Sequence, residues 1–493
     1  MTTDFSRSYM PPGIYIEESE SLVVETSGVP PTVVALVGQT RGYMLFTEQV
    51  KFGSTPVTLS KQGIDLANVS VTVVSTRAEV AATDYTLTKA NDQGGQDYQV
   101  TLVETGNNDL DEGTPVFVTY RYVPTDYYSP RRFTSFEDVK DYYGEPLNLS
   151  IGSATDSSYQ HVLSPLSLGA KVAFENGAAE VVLCAATPPP TSASTDAAKS
   201  TARRTALKEA YEKMGTLAEV NVLVPLPTGI ATNDAAGVLT DLSAHLDLVA
   251  SEGFRRFGII GFDLGVTTAP DTLLSGSGVS NRRLMLAYIG PGGGLMYSGG
   301  VNSTFGASHA YLAAAYGGMM AARPVQNSLT KGRVRSFQGL GGTPLSNSLK
   351  NQYSAAGVAV AEINRLGALV VRHGVTTDVT SVNTREASVV RAKDALVTLV
   401  TNGFTESDII GDPISTELLY AVKSVMQGYL ETAVQDGMIV AYTGLSVRQR
   451  PDDPTVIEIK FGYKPSYPLN YIAIAFSIDM SNGETIETTS AAA

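Results

Sequence analysis

"EVVLCAATPPPTSASTDAAKSTARRTALKEAYEKMGTLAEVNVLVPL", Glu180–Leu226, decides the fold class. It begins and ends with continuous apolar runs, EVVLCAA and VNVLVPL, each of strand length and without polar alternation. Such runs fit strands buried on both faces. Between them a loop, TPPPTSAST, leads into TARRTALKEAYEKMG (Thr201–Gly215), a mixed-charge helix with an exposed face. Strand, helix, strand in this order makes parallel neighbours in a sheet covered by helices.

The same alternation extends both ways. TVVALVG (Thr32–Gly38) reads as another fully buried strand. Downstream come a helix carrying Leu239, Leu242, Leu246 and Val249, then the strands FGIIGFD and LMLAYIG. A helix of small residues, GASHAYLAAAYGGMMAARP, ends at Pro324. The segment 46–125 differs. Its short runs PVTLS, VSVTVVS, DYTLT, YQVTLVE and PVFVTYRYV are separated by turn-rich pieces and show no helical period, which predicts an all-β insertion. After about residue 346, SLKNQYSAAGVAVAEINRLG reads as one helix ending at Gly367. ALVVRHGVTT follows as a strand, then two long amphipathic helices, then the strand TVIEIKFGYKP.

The expected architecture is α/β and α+β, multidomain: an extended arm at 1–31, a mainly parallel α/β core at 32–45 and 126–345, the inserted all-β outer domain at 46–125, a smaller α+β domain at 346–469 and a closing arm at 470–493. The arms are strand-capable. In YIAIAFSID, Ile472, Ile474, Phe476 and Ile478 alternate with small or polar residues, the period of a strand with one apolar face. The first arm, bracketed by prolines, carries Ile14, Tyr15 and Ile16, and then Val23 and Val24.

The chain has 493 residues and a net charge of −14. A surface that acidic repels phosphate, so neither nucleic acid nor an anionic membrane is expected as a partner. Its one cysteine, Cys184, sits in an apolar run and reads as packed core. The start lacks the basic and apolar regions of a signal peptide, and no window approaches the length of a membrane helix, so a soluble protein made in a cytoplasm is expected.

Motifs for chemistry are incomplete. IGPGGGLMYSGG places Gly292 and Gly294 as a dinucleotide loop requires, but Tyr297 takes the third glycine position. GASHA lacks the second glycine of a nucleophile elbow, so Ser308 reads as a helix-start residue beside an incidental His309. His161, His245 and His373 show no metal-ligand spacing. The acidic clusters EESE (Glu17–Glu20), NDLDEG and PDDP read as solvated turns or arm. No cofactor, metal or catalytic residue is expected.

Several stretches together resemble contractile tail sheath proteins of bacteriophages: MPPGIYIEESES, VPPTVVALVGQTRG, RRFTSFEDVKDYYGEP, ALVVRHGVTT with REASVVRAKDAL, and YKPSYPLNYIAIAFSID. The resemblance covers about three-fifths of the chain and rests on order and combination. It implies subunits stacked as hexameric rings around a tail tube, with baseplate and tail terminator proteins as further partners. It also implies a virion tail component assembled in the host cytoplasm, with the C-terminal domain facing the tube; the helix Ser415–Met438 is a candidate for that contact. Ile14, Tyr15, Ile16, Val23, Val24, Tyr471, Ile472, Ile474, Phe476 and Ile478 would enter sheets of neighbouring subunits. Pro12, Gly13, Pro30, Pro31, Pro465 and Pro468 would act as hinges. Alternatives are the sheath of a tailocin or secretion-type injection system, and a phage-associated surface hydrolase.

Overall fold

The computed structural model describes residues 32–40, 44–62, 64–90, 99–105, 110–122, 126–147, 162, 164–190, 193–291, 295–298, 304–341, 344–405, 412–451, 454–474, 477–478 and 485–486. The first strand is β1 (Val33–Gln39). Six strands follow: β2 (Met44–Phe52), β3 (Val57–Gln62), β4 (Ile64–Val73), β5 (Tyr85–Ala90), β6 (Gln99–Glu104) and β7 (Thr114–Tyr122). Then come β8 (Arg131–Phe133), α1 (Phe136–Tyr143), α2 (Pro165–Glu175), β9 (Val181–Ala186), α3 (Asp196–Gly215), β10 (Val220–Pro225), α4 (Thr232–Ser251), β11 (Phe257–Ile260), α5 (Pro270–Ser277) and β12 (Leu284–Tyr288). A small antiparallel sheet, β13 (Leu295–Ser298), β14 (Thr304–Ala307) and β15 (Phe337–Leu340), brackets α6 (His309–Ala321). Next are α7 (Asn347–Ala355), β16 (Val358–Ile363), β17 (Leu369–Val371), α8 (Val382–Arg385), α9 (Ala387–Thr405) and α10 (Thr416–Gln435). The last strands are β18 (Ile439–Gln449), β19 (Ile457–Pro465), β20 (Ser477–Ile478) and β21 (Thr485–Ile486).

An eight-stranded sheet, ordered β17-β16-β12-β11-β10-β1-β9-β8, forms the centre. It is parallel from β16 to β9 and closes with an antiparallel strand at each edge. Every residue of β1 and β9 is buried, because both faces are covered. Val34 and Leu36 look toward α2 and α6, while Val33, Ala35 and Val37 look toward α3 and α4. Cys184 belongs to the second face, and burial pushes its thiol up to about 12.

Helix α6 lies deepest. It is apolar all round and buried from His309 to Met320, as a helix enclosed by other elements must be. Its small residues permit the close approach: a Cβ built on Gly318 would sit 2.2 Å from the Ala173 carbonyl oxygen of α2.

The helix expected over SLKNQYSAAGVAVAEINRLG is corrected. It stops at Ala355, and VAVAEI becomes β16, inside the central sheet between β12 and β17. Gly357 breaks it, with φ +90° and only 2.8 Å between a would-be Cβ and the Thr376 carbonyl oxygen. Val358 and Val360 then face one core layer while Ala359 and Ala361 face the other. The sheet of the core therefore continues past residue 345.

Within 44–122, β2-β7-β4 and β3-β6-β5 form two antiparallel sheets around Phe52, Leu59, Val71, Val100, Leu102, Val116 and Val118. The chain is thus a mixed α/β protein with one large, mostly parallel sheet and several small antiparallel ones. Helix α9 is tied to the centre by two arginines. Arg283 of the core holds Asp394 at 2.6 and 2.7 Å, and Arg391 donates to the Met320 carbonyl oxygen at 2.9 Å, capping α6.

Gly318→Ala should destabilise the protein by about 1–3 kcal/mol, the range for overpacking against an unyielding backbone. Gly276→Ala, where the added Cβ meets open space, should be neutral or mildly stabilising. Urea unfolding of both variants checks this, and equal effects would contradict the packing described.

Candidate assembly surface

The residues after α9 build an exposed structure. On α10, Val422, Met426, Leu430 and Ala433 recur at helical spacing and are the buried residues; Tyr420, Lys423, Gln427 and Glu431 are exposed. Gly437, at φ +73°, turns the chain from α10 into β18. Strands β18 and β19 pair antiparallel from Ile439 opposite Pro465 to Gln449 opposite Ile457, with two register shifts. Glu458 binds Arg448 at 2.7 Å across the pair and Lys460 at 2.9 Å along β19. Past Ile439, no residue of β18 is fully buried, and none of β19 is.

Among the described residues no third strand joins this ribbon. Roughly half of the backbone N–H and C=O groups of each strand therefore point to an open edge. A lone two-stranded ribbon is marginal in water, and open edges of this length are templates for another strand.

The segment after β19 is moored twice. The Tyr467 hydroxyl donates to Asn383 Oδ1 at 2.5 Å, and the Asn470 side chain bonds to Glu386. Burial alone would raise the Glu386 carboxyl. Hydrogen bonds from His373, Asn470 and Arg385, with the His373 charge, overcome this and hold it below the usual carboxylate range. Leu469, between the moorings, and Tyr471, Ile472 and Ile474, beyond them, are each at least 75% exposed.

The structure brings Tyr471, Ile472 and Ile474 together on this free segment, outside any strand of the chain's own sheets. Ile478 lies in β20, opposite Thr485 of β21. Pro465 ends β19 and Pro468 lies between the two moorings. Phe476, Ile14, Tyr15, Ile16, Val23 and Val24, with Pro12, Gly13, Pro30 and Pro31, lie outside the described residues. Two features went unread in the sequence. Strand β18 carries a usable signal in IVAYTGLSVRQ, with its β-branched residues and Tyr442. The moorings carry none, since Asn383 and Glu386 are distant from Tyr467 and Asn470 along the chain.

The candidate chemical residues occupy structural positions. Ser308 caps α6, accepting from the Ala310 N–H and donating to the Phe262 carbonyl oxygen. His309 is buried against Tyr288 and bonds the Gly290 carbonyl oxygen. Burial pushes its imidazole down to about 4, although that bond favours the charged form. His245 is likewise pushed down to about 4, by burial and by Arg256. Glu112 of NDLDEG binds Ser54. Gly292, Gly294 and His161 lie outside the described residues. Among the described residues no three potential metal ligands cluster, and no helix is long and apolar enough to cross a membrane.

No protein-family model matches the chain. The tail sheath protein of Mycobacterium phage Bxz1 is 28% identical to it over 440 residues, 87% of this chain and 71% of that one. The chain is a relative of contractile tail sheath proteins. Its fold agrees with sheath assemblies of known structure. A chain of the anti-feeding prophage helical sheath in its contracted state superposes with a TM-score of 0.54 at 13% identity, covering 96% of this chain and 100% of that one. A chain of the same particle's six-fold symmetrised baseplate also gives 0.54, at 14% identity with the same coverages. The sheath complex of PVC, an extracellular contractile injection system, gives 0.51 at 13% identity, covering 96% and 99%. In the sheath fold seen here, the open ribbon and the free apolar segment lie next to each other in the chain.

The two buried histidines make stability acid-sensitive. Both stay neutral in the fold down to about pH 4, whereas an unfolded chain protonates them near 6.5. Their contribution is complete above about pH 6.5 and is lost as pH falls toward 4, up to about 3 kcal/mol for each. The melting temperature should drop across that interval, and less steeply in His245→Phe. An unchanged melting temperature between pH 7 and pH 4.5 would contradict the burial described.

Proposed function

We propose that this chain is the structural subunit of a contractile tail sheath. It stacks as hexameric rings around a tail tube and drives the tube through a host envelope by contracting from a metastable extended lattice. The observation that carries this reading is a two-stranded ribbon that no third strand joins among the described residues, followed by an exposed apolar segment outside its strands. Burying Leu469, Tyr471, Ile472 and Ile474 in a neighbour would contribute roughly 1.5–3 kcal/mol each. The segment is two mooring points away from the ribbon, so handing it to another subunit gives a heterologous contact that repeats. The first arm, with Ile14, Tyr15, Ile16, Val23 and Val24, supplies the second guest strand. Phe476 and Ile478 prolong the guest strand at the other end.

In this reading the arms bend at Pro12, Gly13, Pro30, Pro31, Pro465 and Pro468, and subunits move as rigid bodies while the exchanged strands stay paired. The region after α9 faces the tube, with the exposed side of α10 as its contact, and the 46–125 segment faces outward. Baseplate and terminator proteins bound the polymer, which assembles in the host cytoplasm and ends in the virion tail. The role is mechanical rather than catalytic. A second reading, the sheath of a tailocin or injection system, draws on the anti-feeding prophage and PVC likenesses. Capsid and terminase genes beside this one separate the two.

Purified full-length protein should form rings or tubes in negative-stain micrographs. Removing residues 1–28 or 470–493 should abolish them while the circular dichroism spectrum stays nearly unchanged. Tubes formed by either truncated chain would sink the strand-exchange reading.

A further inference from the structure

The mooring of the C-terminal segment borders a cleft of about 490 Å³ whose walls include Lys331, Arg372, His373, Arg385, Asn470 and Tyr471. Its charge runs against that of the molecule. Glu362 is shared by Lys331 at 2.9 Å, Arg372 at 2.6 Å and Lys350 at 3.4 Å. Glu386 serves Arg385 at 3.2 Å and His373 at 3.0 Å. Four permanent cations thus meet two carboxylates, in a chain whose net charge is −14. Lys331 is two-thirds exposed and Arg385 one-third, so both keep N–H donors for an incoming anion. Two polar atoms of the lining residues, Asn470 Oδ1 and Ser354 Oγ, have no hydrogen-bond partner.

We propose that this cleft receives the acidic stretch Glu17–Glu20 from the N-terminal arm of a second copy of the chain. The assignment rests on the sheath reading and adds to it the contact that sets register. Three of the four residues in EESE are carboxylates, and the stretch lies between the two strand-capable pieces of its arm, GIYI and LVVE. The other acidic cluster with described carboxylates is engaged elsewhere, Glu112 being bound to Ser54. Register is strongly specified only where one face of a strand is buried, and β18 and β19 are mostly unburied, so strand pairing alone fixes it weakly here. A charged break seated among Lys331, Arg372 and Arg385 fixes the register of both flanking pieces at once. It also places the incoming arm at Asn470–Tyr471, where the outgoing segment leaves the surface. Complementary charge of this kind sets partner choice and encounter rate, and salt weakens it.

Cysteine trapping in the full-length chain tests the assignment. Cys184, the sole natural cysteine, is buried and does not compete. Val379 also lines the cleft and is 40% exposed. A size-tagged Ser19→Cys chain is mixed with an untagged Val379→Cys chain, polymerised and mildly oxidised. A disulfide-linked tagged–untagged pair should dominate the non-reducing gel. Reversing the arm charges with Glu17→Lys, Glu18→Lys and Glu20→Lys should raise the critical concentration for tubes at least tenfold. Adding Lys331→Glu and Arg385→Glu to that chain should recover most of the loss. Tubes without the mixed pair, together with an unmoved critical concentration, overturn the proposal and leave the sheath reading standing. An intramolecular disulfide in the monomeric Ser19→Cys, Val379→Cys double variant also overturns it, because the guest is then the chain's own arm. If the unsubstituted chain forms no tubes, the sheath reading fails first and the cleft assignment goes with it.

Discussion

A β-ribbon of two strands leaves as many backbone groups open as it pairs, and the architecture after α9 is organised around that deficit. Strands β18 and β19 are long, 11 and 9 residues, and mostly unburied. Replacing water at their edges with a neighbour's strand gains little from each hydrogen bond, about 0.5–1.5 kcal/mol. The larger gain comes from apolar side chains now held in solvent, of which Leu469, Tyr471, Ile472 and Ile474 are the described examples. In the proposed strand exchange, affinity between subunits would rest on this exposed segment.

Strand exchange needs a stiff mount. Helix α9 follows the segment that moors the chain after β19, through Asn383 and Glu386, and is itself fastened to the core. The Arg283–Asp394 pair is bidentate and nearly buried, and losing one partner of such a pair costs about 3–5 kcal/mol. Arg391 spends its guanidinium on the end of α6, and burial pulls its pKa down to about 10, still far above neutrality. These joins fasten α9 to the central sheet, whose six parallel strands are covered on both faces. The packing of α6 through Gly318 leaves that sheet and its helices no room to slide.

The sequence showed the centre more clearly than the rim. Strands β1, β9 and β10 stood out because burial on both faces demands unbroken apolar runs. Ser308 was legible as a cap because the helix after it begins at once. The stretch 348–367, expected as one helix, is helical only to Ala355: alanines alternating with valines at Val358–Ala361 suit a helix as well as a two-faced buried strand. The decision falls to Gly357, whose positive φ is a tertiary requirement set by Thr376. Strand β18 is hard to read because it follows a helix with only Asp436, Gly437 and Met438 between them. The exposed state of Ile472 and Ile474 could not be read from their alternation, which is the same for a strand at home and a strand to be lent. Likewise the cationic cleft is lined by Lys331, Arg372 and Arg385, residues scattered over more than fifty positions that carry no motif. The sheath likeness itself was legible through the order of short stretches from first arm to last.

Amide hydrogen exchange resolved to single residues, compared between free subunits and assembled polymer, addresses the borrowed-strand claim most directly. The account predicts that outward-facing amides of β18 or β19, and alternate amides from Tyr471 onward, exchange quickly in the subunit and become strongly protected on assembly. The amides of β1 and β9 should be equally slow in both. Outer amides of the ribbon that stay fast in well-formed polymer, or that are already slow in the free subunit, would contradict it.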